Sequence, residues 1–409
     1  MDPAEMLTLV AITYRGCEFN LSDAHSRKIV FDETVRCLED YSKTQGNWEL
    51  AWGPAGYRPG IVGMDISAMY VVRGRSEPSK IAIVIRGTNF FSPIDWLSNL
   101  LIDPIPWEYG GAADDVSISQ STWLGLRILQ RLRSGPVPAP PASRTPLEQV
   151  QAAESASEAA IAYALLRDII QGSSTFNSAA YLKVIRDQIA AIAGAGSFAA
   201  NRNRGLQQAI VDAQQPPVAS GTLFEFLKRF VATATAPVDI YVVGHSKSGA
   251  LAPALALWLA DTQGRVVVGA EQWDPSAKAK LHLYTFAAPT PGNAGFANRL
   301  KQKLAPSYRL ANPYDIVPHA WDPKEIREIP DLYGDQLTAF RIPADVLALA
   351  LEATAYRHEV SSAPWTGGAV AQSNFLQRAA VEHLDFYLKQ FGIYNASSLS
   401  TLALYAPIP

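Results

Sequence analysis

Residues 244–249, with the sequence GHSKSG, place a serine where its residue type and spacing could make it a nucleophile. A catalytic serine must stand on a sharp strand-to-helix turn, where its Oγ is exposed and the free N–H groups of the helix favour negative charge. The positions two before and two after Ser246 must be small, because the two backbones approach each other there. Gly244 meets this demand fully and Ser248 nearly. The usual motif is G-x-S-x-G, whereas in this chain the fifth position is Ser248 and the next glycine is Gly249. We interpret Ser246 as a candidate nucleophile on a turn with a tight fifth position.

A serine hydroxyl also needs a histidine that takes its proton and a carboxylate that fixes the histidine's tautomer. In one common chain order the acid follows the serine and the histidine follows the acid. Downstream of Ser246, the strand-like residues 308–310 lead into a proline-marked loop that carries Asp315, the candidate acid. His319 lies too close to Asp315 in the chain to reach between it and the serine easily, whereas His383 lies on a late segment that can fold back over the sheet edge. We expect His383 to be the base, with His319 and the intervening His358 as less favoured alternatives. The histidines that precede the acid are expected to be structural: His25, His245 and His282.

The oxyanion of an acyl-transfer reaction needs two hydrogen-bond donors, one from the residue after the nucleophile and one from a loop after an earlier strand. The first donor would be the backbone N–H of Lys247, which does not depend on the side chain. The second is expected in the segment 81–107, where an apolar strand ends in Arg-Gly-Thr. Thr88 can offer both its N–H and its hydroxyl.

The elements that must position these residues are apolar runs of strand length, separated by helical stretches. Such runs occupy residues 69–72, 80–88, 238–243 and 281–286. Continuous rather than alternating apolar residues indicate strands covered on both faces, which with intervening helices predicts an α/β fold. The apolar residues 249–260 predict a buried helix after the serine, with Pro253 removing one of its hydrogen bonds.

One segment interrupts this alternation of strands and helices. Residues 134–146, SGPVPAPPASRTP, are too rich in proline for a helix or an inner strand, and alanine-rich helical periodicity follows at 147–172 and 177–196. We predict a single domain over residues 1–409 with a helical insertion at 134–217. The insertion is either a packed structural elaboration or a cap that shapes the active site.

Composition excludes several classes of protein. The chain has 409 residues, of which 48% are hydrophobic and 18% charged, and a formal net charge of −3, which disfavours binding to nucleic acid. Cys17 and Cys37 lack metal-ligand spacing, so no metal site is expected, and a single bridge between them stays open. The N-terminus lacks the basic region of a secretory signal and reads as a helix start, and no apolar run has the length of a membrane span. We therefore expect a soluble protein, cytoplasmic or exported without a leader.

Five ordered motifs together resemble the class 3 lipase family, the fungal-type triacylglycerol lipases of the α/β-hydrolase fold. They span about residues 65–390 and are RGT at 86–88 followed by DW at 95–96, GHS at 244–246 with GALA at 249–252, YTFAAPTPGNAGFA at 284–297, DIVP at 315–318, and HLDFY at 383–387.

The resemblance implies a mixed sheet flanked by helices, a catalytic triad of Ser246, Asp315 and His383, and oxyanion donors at Thr88 and Lys247. It implies no cofactor, a lipid or small ester as substrate, and transient contact with a lipid interface. It also implies that the segment after RGT is a lid in many members, although the same residues could form an ordinary buried helix. The lid candidates are bulky and apolar: Phe90, Phe91, Ile94, Trp96 and Leu97.

The chain departs from the family at Lys247 and Ser248, where Leu-Gly is usual. A cation at Lys247 would favour polar or acidic esters over long triglycerides, unless its stem packs and its amine reaches solvent or an acidic partner. The expected function is a lipase or esterase that acts on acylglycerols or related acyl esters. A phospholipase or feruloyl-type esterase could use the same triad, and a lipase-like binding protein without turnover is the alternative from another class.

Overall fold

The computed structural model describes a large part of the chain in thirteen ranges. They are 1–17, 19–21, 23–58, 67–88, 101–109, 115–134, 207–214, 221–264, 272–304, 307–332, 341–358, 360–369 and 375–393. The expected lid at 89–97 lies outside the described residues, as does most of the predicted insertion at 134–217. Of the insertion, residue 134 and residues 207–214 are described, and 207–214 are helical.

A six-stranded mixed sheet forms the centre of the fold, in the order β1-β2-β3-β6-β7-β8. The first three strands pair antiparallel, and β3, β6, β7 and β8 run parallel. Two short strands, β4 and β5, form a separate antiparallel pair. The strands are β1 (Trp48–Tyr57), β2 (Ser67–Gly74), β3 (Lys80–Ile85), β4 (Pro104–Pro106), β5 (Ser117–Ser119), β6 (Val238–His245), β7 (Ala279–Phe286) and β8 (Ser307–Leu310).

The described ranges contain helices that cover both faces of this sheet and helices that pack in a separate cluster. They are α1 (Pro3–Ile12), α2 (Ala24–Asp40), α3 (Gln120–Leu129), α4 (Leu223–Thr233), α5 (Lys247–Thr262), α6 (Ala294–Lys303), α7 (Pro323–Leu332), α8 (Arg341–Leu351), α9 (Phe375–Ala380) and α10 (Phe386–Gln390). A single π-helical turn, Val381–Asp385, joins α9 to α10.

The side chains of β3 explain why the central strands are apolar throughout. Ile81 and Ile83 point into a core shared with α3, α4, α5 and α6, whereas Ala82 and Val84 point into a second core shared with α1, α2 and α10. Successive strand residues face opposite sides, so a strand covered on both faces needs apolar residues at every position. The strands predicted from the apolar runs are confirmed, and so is the helix start at the N-terminus, where Asp2 caps α1.

Cys17 and Cys37 are both buried and free, so the bridge that the sequence left open does not form. Within the described ranges, no helix combines the length and the apolar character that a bilayer crossing requires.

Candidate active site

Ser246 lies on a sharp turn between β6 and α5. Its backbone has φ 61° and ψ −131°, a conformation that non-glycine residues rarely adopt and that surrounding structure must enforce. The Ser246 N–H donates to the carbonyl of Phe286 at 3.0 Å, which ties the turn to β7. A Cβ on Gly244 would lie 2.0 Å from the carbonyl oxygen of Ser248, so this position admits only glycine. The small residue expected two positions before the serine is thus required by backbone contact.

The glycine that usually ends the G-x-S-x-G motif is replaced here by two residues with different roles, Ser248 and Gly249. The Ser248 hydroxyl donates to the carbonyl of His245 and accepts from the N–H of His245, both at 2.9 Å, and the residue is fully buried. A Cβ on Gly249 would lie 2.8 Å from Cα of Ala288, so this glycine permits the close approach of α5 to the loop after β7. Ser248 is therefore a hydrogen-bonded part of the turn, a role that the sequence pattern does not reveal.

Ser246, His383 and Asp315 are brought together at the carboxyl edge of the sheet. His383 Nδ1 lies 2.8 Å from Asp315 Oδ2, and His383 Nε2 lies 2.8 Å from Ser246 Oγ. Because the carboxylate only accepts, Nδ1 carries the proton, and Nε2 then accepts from the serine hydroxyl. All three residues are buried, Asp315 fully. This is the geometry in which a histidine can remove the proton of a serine.

Asp315 is held by one donor from its own loop and one from α10. The N–H of Val317 donates to Oδ1 at 3.0 Å, and the hydroxyl of Tyr387 donates to Oδ2 at 3.2 Å. The Tyr387 hydroxyl also accepts from the N–H of Asn312 at 2.7 Å. Burial, and then the charge of Asp315, raise the pKa of Tyr387 well above its usual value, so its hydroxyl stays protonated and donates. Tyr387 belongs to the HLDFY motif, but its partner Asp315 could not be read from the motif alone.

The other two histidines downstream of the acid lie elsewhere. His358 Nε2 donates to the carbonyl of Pro318 at 2.8 Å, and His319 Nδ1 lies 3.8 Å from a carboxylate oxygen of Glu328. Burial lowers the pKa of both histidines, that of His358 to about 3. Neither contacts Ser246, so the structure brings to the serine the histidine that the chain order favoured.

The two expected oxyanion donors flank the serine. β3 pairs in parallel with β6, with Ile85 opposite Gly244, so Thr88 and Ser246 follow their strands at the same sheet edge. A Cβ on Gly87 would lie 3.3 Å from Cβ of Ser246, which places the loop before Thr88 directly against the turn. Thr88 and Lys247 are both buried, and Lys247 is the first residue of α5, where N–H groups have no partner within the helix. With only 7% of its surface exposed, Lys247 packs inside the protein.

Among the residues that the structure describes, no group of three or more His, Cys, Asp or Glu side chains could hold a metal ion. The lid candidates lie outside those residues, and their role stays a prediction.

This sheet, with a serine on the turn after its central parallel strand, has the architecture of the α/β-hydrolase fold, as the comparison with solved structures bears out. The crystal structure of M37 lipase superposes with a TM-score of 0.63 at 23% sequence identity, and the match covers 96% of this chain and 94% of that chain. The triacylglyceride lipase of Rhizomucor miehei matches at 16% identity over 78% of this chain and 72% of that chain. Its TM-score is 0.38, and this value is too low for the match to support the assignment of the fold.

The resemblance to the class 3 lipase family is also confirmed at the level of sequence. The family model described as Lipase (class 3) matches residues 181–324, which contain both Ser246 and Asp315. His383 and Thr88 lie outside the matched segment, so their assignment depends on the geometry described above. No curated protein shows a significant match to the chain.

Proposed function

We propose that the protein is a carboxylic ester hydrolase of the lipase or esterase type, with Ser246, His383 and Asp315 as its catalytic triad. The observation that carries this proposal is the continuous pair of 2.8 Å contacts from Ser246 Oγ through the His383 ring to Asp315. The match to the class 3 lipase family supports it independently of that geometry.

In the first half of the reaction, His383 Nε2 takes the proton of Ser246 as Oγ attacks the ester carbonyl. The N–H groups of Thr88 and Lys247 stabilise the oxyanion of the tetrahedral intermediate, and the N-terminus of α5 favours the same negative charge. His383 then gives its proton to the leaving alcohol, and the acyl group remains on Oγ. In the second half, water attacks the acyl-enzyme, His383 takes a proton from that water, and the acid leaves as Ser246 recovers its proton.

Two features of the site suit these steps. Asp315 accepts from Val317, Tyr387 and His383, so a buried carboxylate is paired with donors and can stabilise the imidazolium that forms during the reaction. The backbone of Ser246 is held in a rare conformation by the bond from its N–H to Phe286 of β7 and by the bond that its carbonyl accepts from the N–H of Gly249, which keeps Oγ in place while the charge changes.

The substrate class that we propose is an acylglycerol or a related acyl ester. Labelling with a fluorophosphonate probe, combined with turnover of p-nitrophenyl butyrate and palmitate, tests the reaction, with Ser246→Ala as the inactive reference. A wild-type protein that neither labels nor turns over would leave a lipase-like binding protein as the function. Phospholipid and feruloyl esters in the same panel distinguish the alternative substrates.

The base can be tested separately, because the chain offers two matched controls. His383→Ala should abolish turnover, while His319→Ala and His358→Ala should retain it, since neither side chain contacts Ser246.

The expected lid is tested on tributyrin below and above its solubility limit. The absence of a jump in the rate of hydrolysis would count against a lid that opens at a lipid interface.

A further inference from the structure

His245, the residue before the candidate nucleophile, makes two hydrogen bonds that link the site to distant parts of the chain. Its Nε2 lies 3.0 Å from the backbone carbonyl of His383, and its Nδ1 lies 3.0 Å from the hydroxyl of Tyr14. The rings of His245 and His383 are in contact, with centroids 4.9 Å apart. The sequence alone suggested only a structural histidine here, and the catalytic geometry above does not use it.

The direction of both bonds follows from the chemistry of the partners. A carbonyl oxygen only accepts, so Nε2 of His245 must carry a proton and donate to His383. In a neutral imidazole Nδ1 is then an acceptor, and the Tyr14 hydroxyl donates to it. Burial, followed by the charge of the adjacent His383, lowers the pKa of His245 well below its usual value. His245 therefore stays neutral and adds no repulsion when His383 becomes charged.

The carbonyl that accepts from His245 lies in an unusual stretch of helix. His383 is the central residue of the π-helical turn Val381–Asp385, and such turns are rare and concentrate at functional sites. The preceding carbonyl, that of Glu382, accepts from the side chain of Asn312 at 3.1 Å. Side chains from outside the helix thus hold two consecutive carbonyls of the turn that carries the base.

Tyr14 is itself fixed in place. It follows α1, and a buried ion pair between the next residue, Arg15, and Glu33 anchors this segment to α2. A Cβ on Gly87 would lie 2.2 Å from the Tyr14 hydroxyl oxygen and 2.6 Å from the His245 carbonyl, so the hydroxyl also packs against the loop that carries Thr88. One hydroxyl therefore contacts both the serine turn and the oxyanion loop.

We propose that Tyr14 and His245 are positioning residues for the reaction, which hold the backbone of His383 so that its ring lies between Ser246 and Asp315. The inference deepens the proposed function and rests on it. The bond from His245 Nε2 to the His383 carbonyl is the decisive contact, and Tyr14 acts by keeping the imidazole in the tautomer that makes that bond.

Two substitutions of His245 separate this role from simple packing. The amide nitrogen of Gln can replace Nε2 and still donate to the His383 carbonyl, whereas the shorter Asn can replace only Nδ1 and cannot reach it. We expect His245→Asn to lower kcat for p-nitrophenyl butyrate by ~10- to 100-fold with little change in KM, because small displacements of a reacting group have effects of this size. His245→Gln should recover most of that loss.

Tyr14→Phe should lower kcat in the same way. Because it removes only one hydroxyl, this variant still tests the proposal if His245→Asn does not fold. Its matched control is Tyr70→Phe, which removes another buried hydroxyl bonded to the same N-terminal region, at the carbonyl of Leu9, without touching the site. Tyr70→Phe should keep the wild-type kcat. Equal kcat values for His245→Asn and His245→Gln, or a wild-type kcat in folded Tyr14→Phe, would overturn the proposal.

A measurement without turnover distinguishes failure of this proposal from failure of the proposed function. The proton that His383 Nδ1 donates to Asp315 should give a low-field NMR resonance, identified by its loss in His383→Ala. The resonance should shift or vanish in His245→Asn and persist in His245→Gln. A wild-type protein without esterase activity but with this pattern would refute the function and retain the positioning role, whereas an unchanged resonance in His245→Asn would refute the role.

Discussion

Replacing Ser248 by glycine would restore the usual G-x-S-x-G spelling, yet we expect it to destabilise the protein. The Ser248 hydroxyl bonds both the N–H and the carbonyl of His245, and all of these groups are buried. Removing it leaves a buried N–H without this partner, at a cost of about 1–3 kcal/mol, and removes a donor to the carbonyl that is worth about 1 kcal/mol. A glycine in the first turn of α5 adds about 0.5–1 kcal/mol relative to alanine.

The expected loss in the free energy of unfolding is therefore roughly 2–4 kcal/mol for Ser248→Ala and slightly more for Ser248→Gly. Urea denaturation measures both, and the kcat for p-nitrophenyl butyrate should fall as well because the strained Ser246 loses support. Thr262→Val is a control in the same helix, since the Thr262 hydroxyl only donates to helix carbonyls, and we expect a loss of at most about 1 kcal/mol. If Ser248→Gly proved as stable as the wild type, crowding at the fifth position would outweigh the two hydrogen bonds and this reasoning would be wrong.

Three further changes follow from contacts around the site. Tyr387→Phe removes a hydroxyl that joins a buried N–H to the candidate catalytic carboxylate, so unfolding free energy should fall by about 3 kcal/mol and kcat should fall with it, as urea denaturation and ester turnover measure. Gly244→Ala forces a Cβ to within 2.0 Å of a backbone oxygen and should cost about 3 kcal/mol or more and abolish turnover, whereas Gly264→Ala, with open space around it, should be neutral by the same assays. His358→Gln should reduce the loss of unfolding free energy at acid pH, because burial and then the charge of Arg309 lower the pKa of His358 from 6.5 to about 3. The stability that its neutral form contributes is complete above pH 6.5 and is lost as the pH falls towards 3, so urea denaturation across this range should show a shallower decline in the unfolding free energy of the variant.

Each of these expectations can fail independently. A Tyr387→Phe protein with wild-type stability would mean that another group satisfies the freed N–H. Equal stability of Gly244→Ala and Gly264→Ala would contradict the contact described at the serine turn. Parallel stability curves for His358→Gln and wild type between pH 6.5 and 3 would show that this histidine is not the group whose protonation opposes folding.

The sequence was sufficient to predict the central strands, because a strand buried on both faces must be apolar at every buried position, as residues 81–85 are. Chain order and loop length favoured His383 over His319 and His358, and the described geometry brings His383 to Ser246. The motifs of the class 3 lipase family predicted the fold, which is confirmed. These features are local or are carried by ordered motifs, so they can be recognised without coordinates.

Other features depended on how distant elements pack. Tyr14 and His245 are 231 positions apart, and nothing in the residues around Tyr14 marks it as a partner of the site. Ser248 looked like an imperfect substitute for glycine, whereas the folded turn uses its hydroxyl. Local periodicity and motif spacing determine which elements form, but a hydrogen bond between elements depends on their mutual position to within a fraction of an ångström. The sequence by itself therefore determined the class of fold and the candidate nucleophile, acid and base, while the tertiary structure alone decided what holds them.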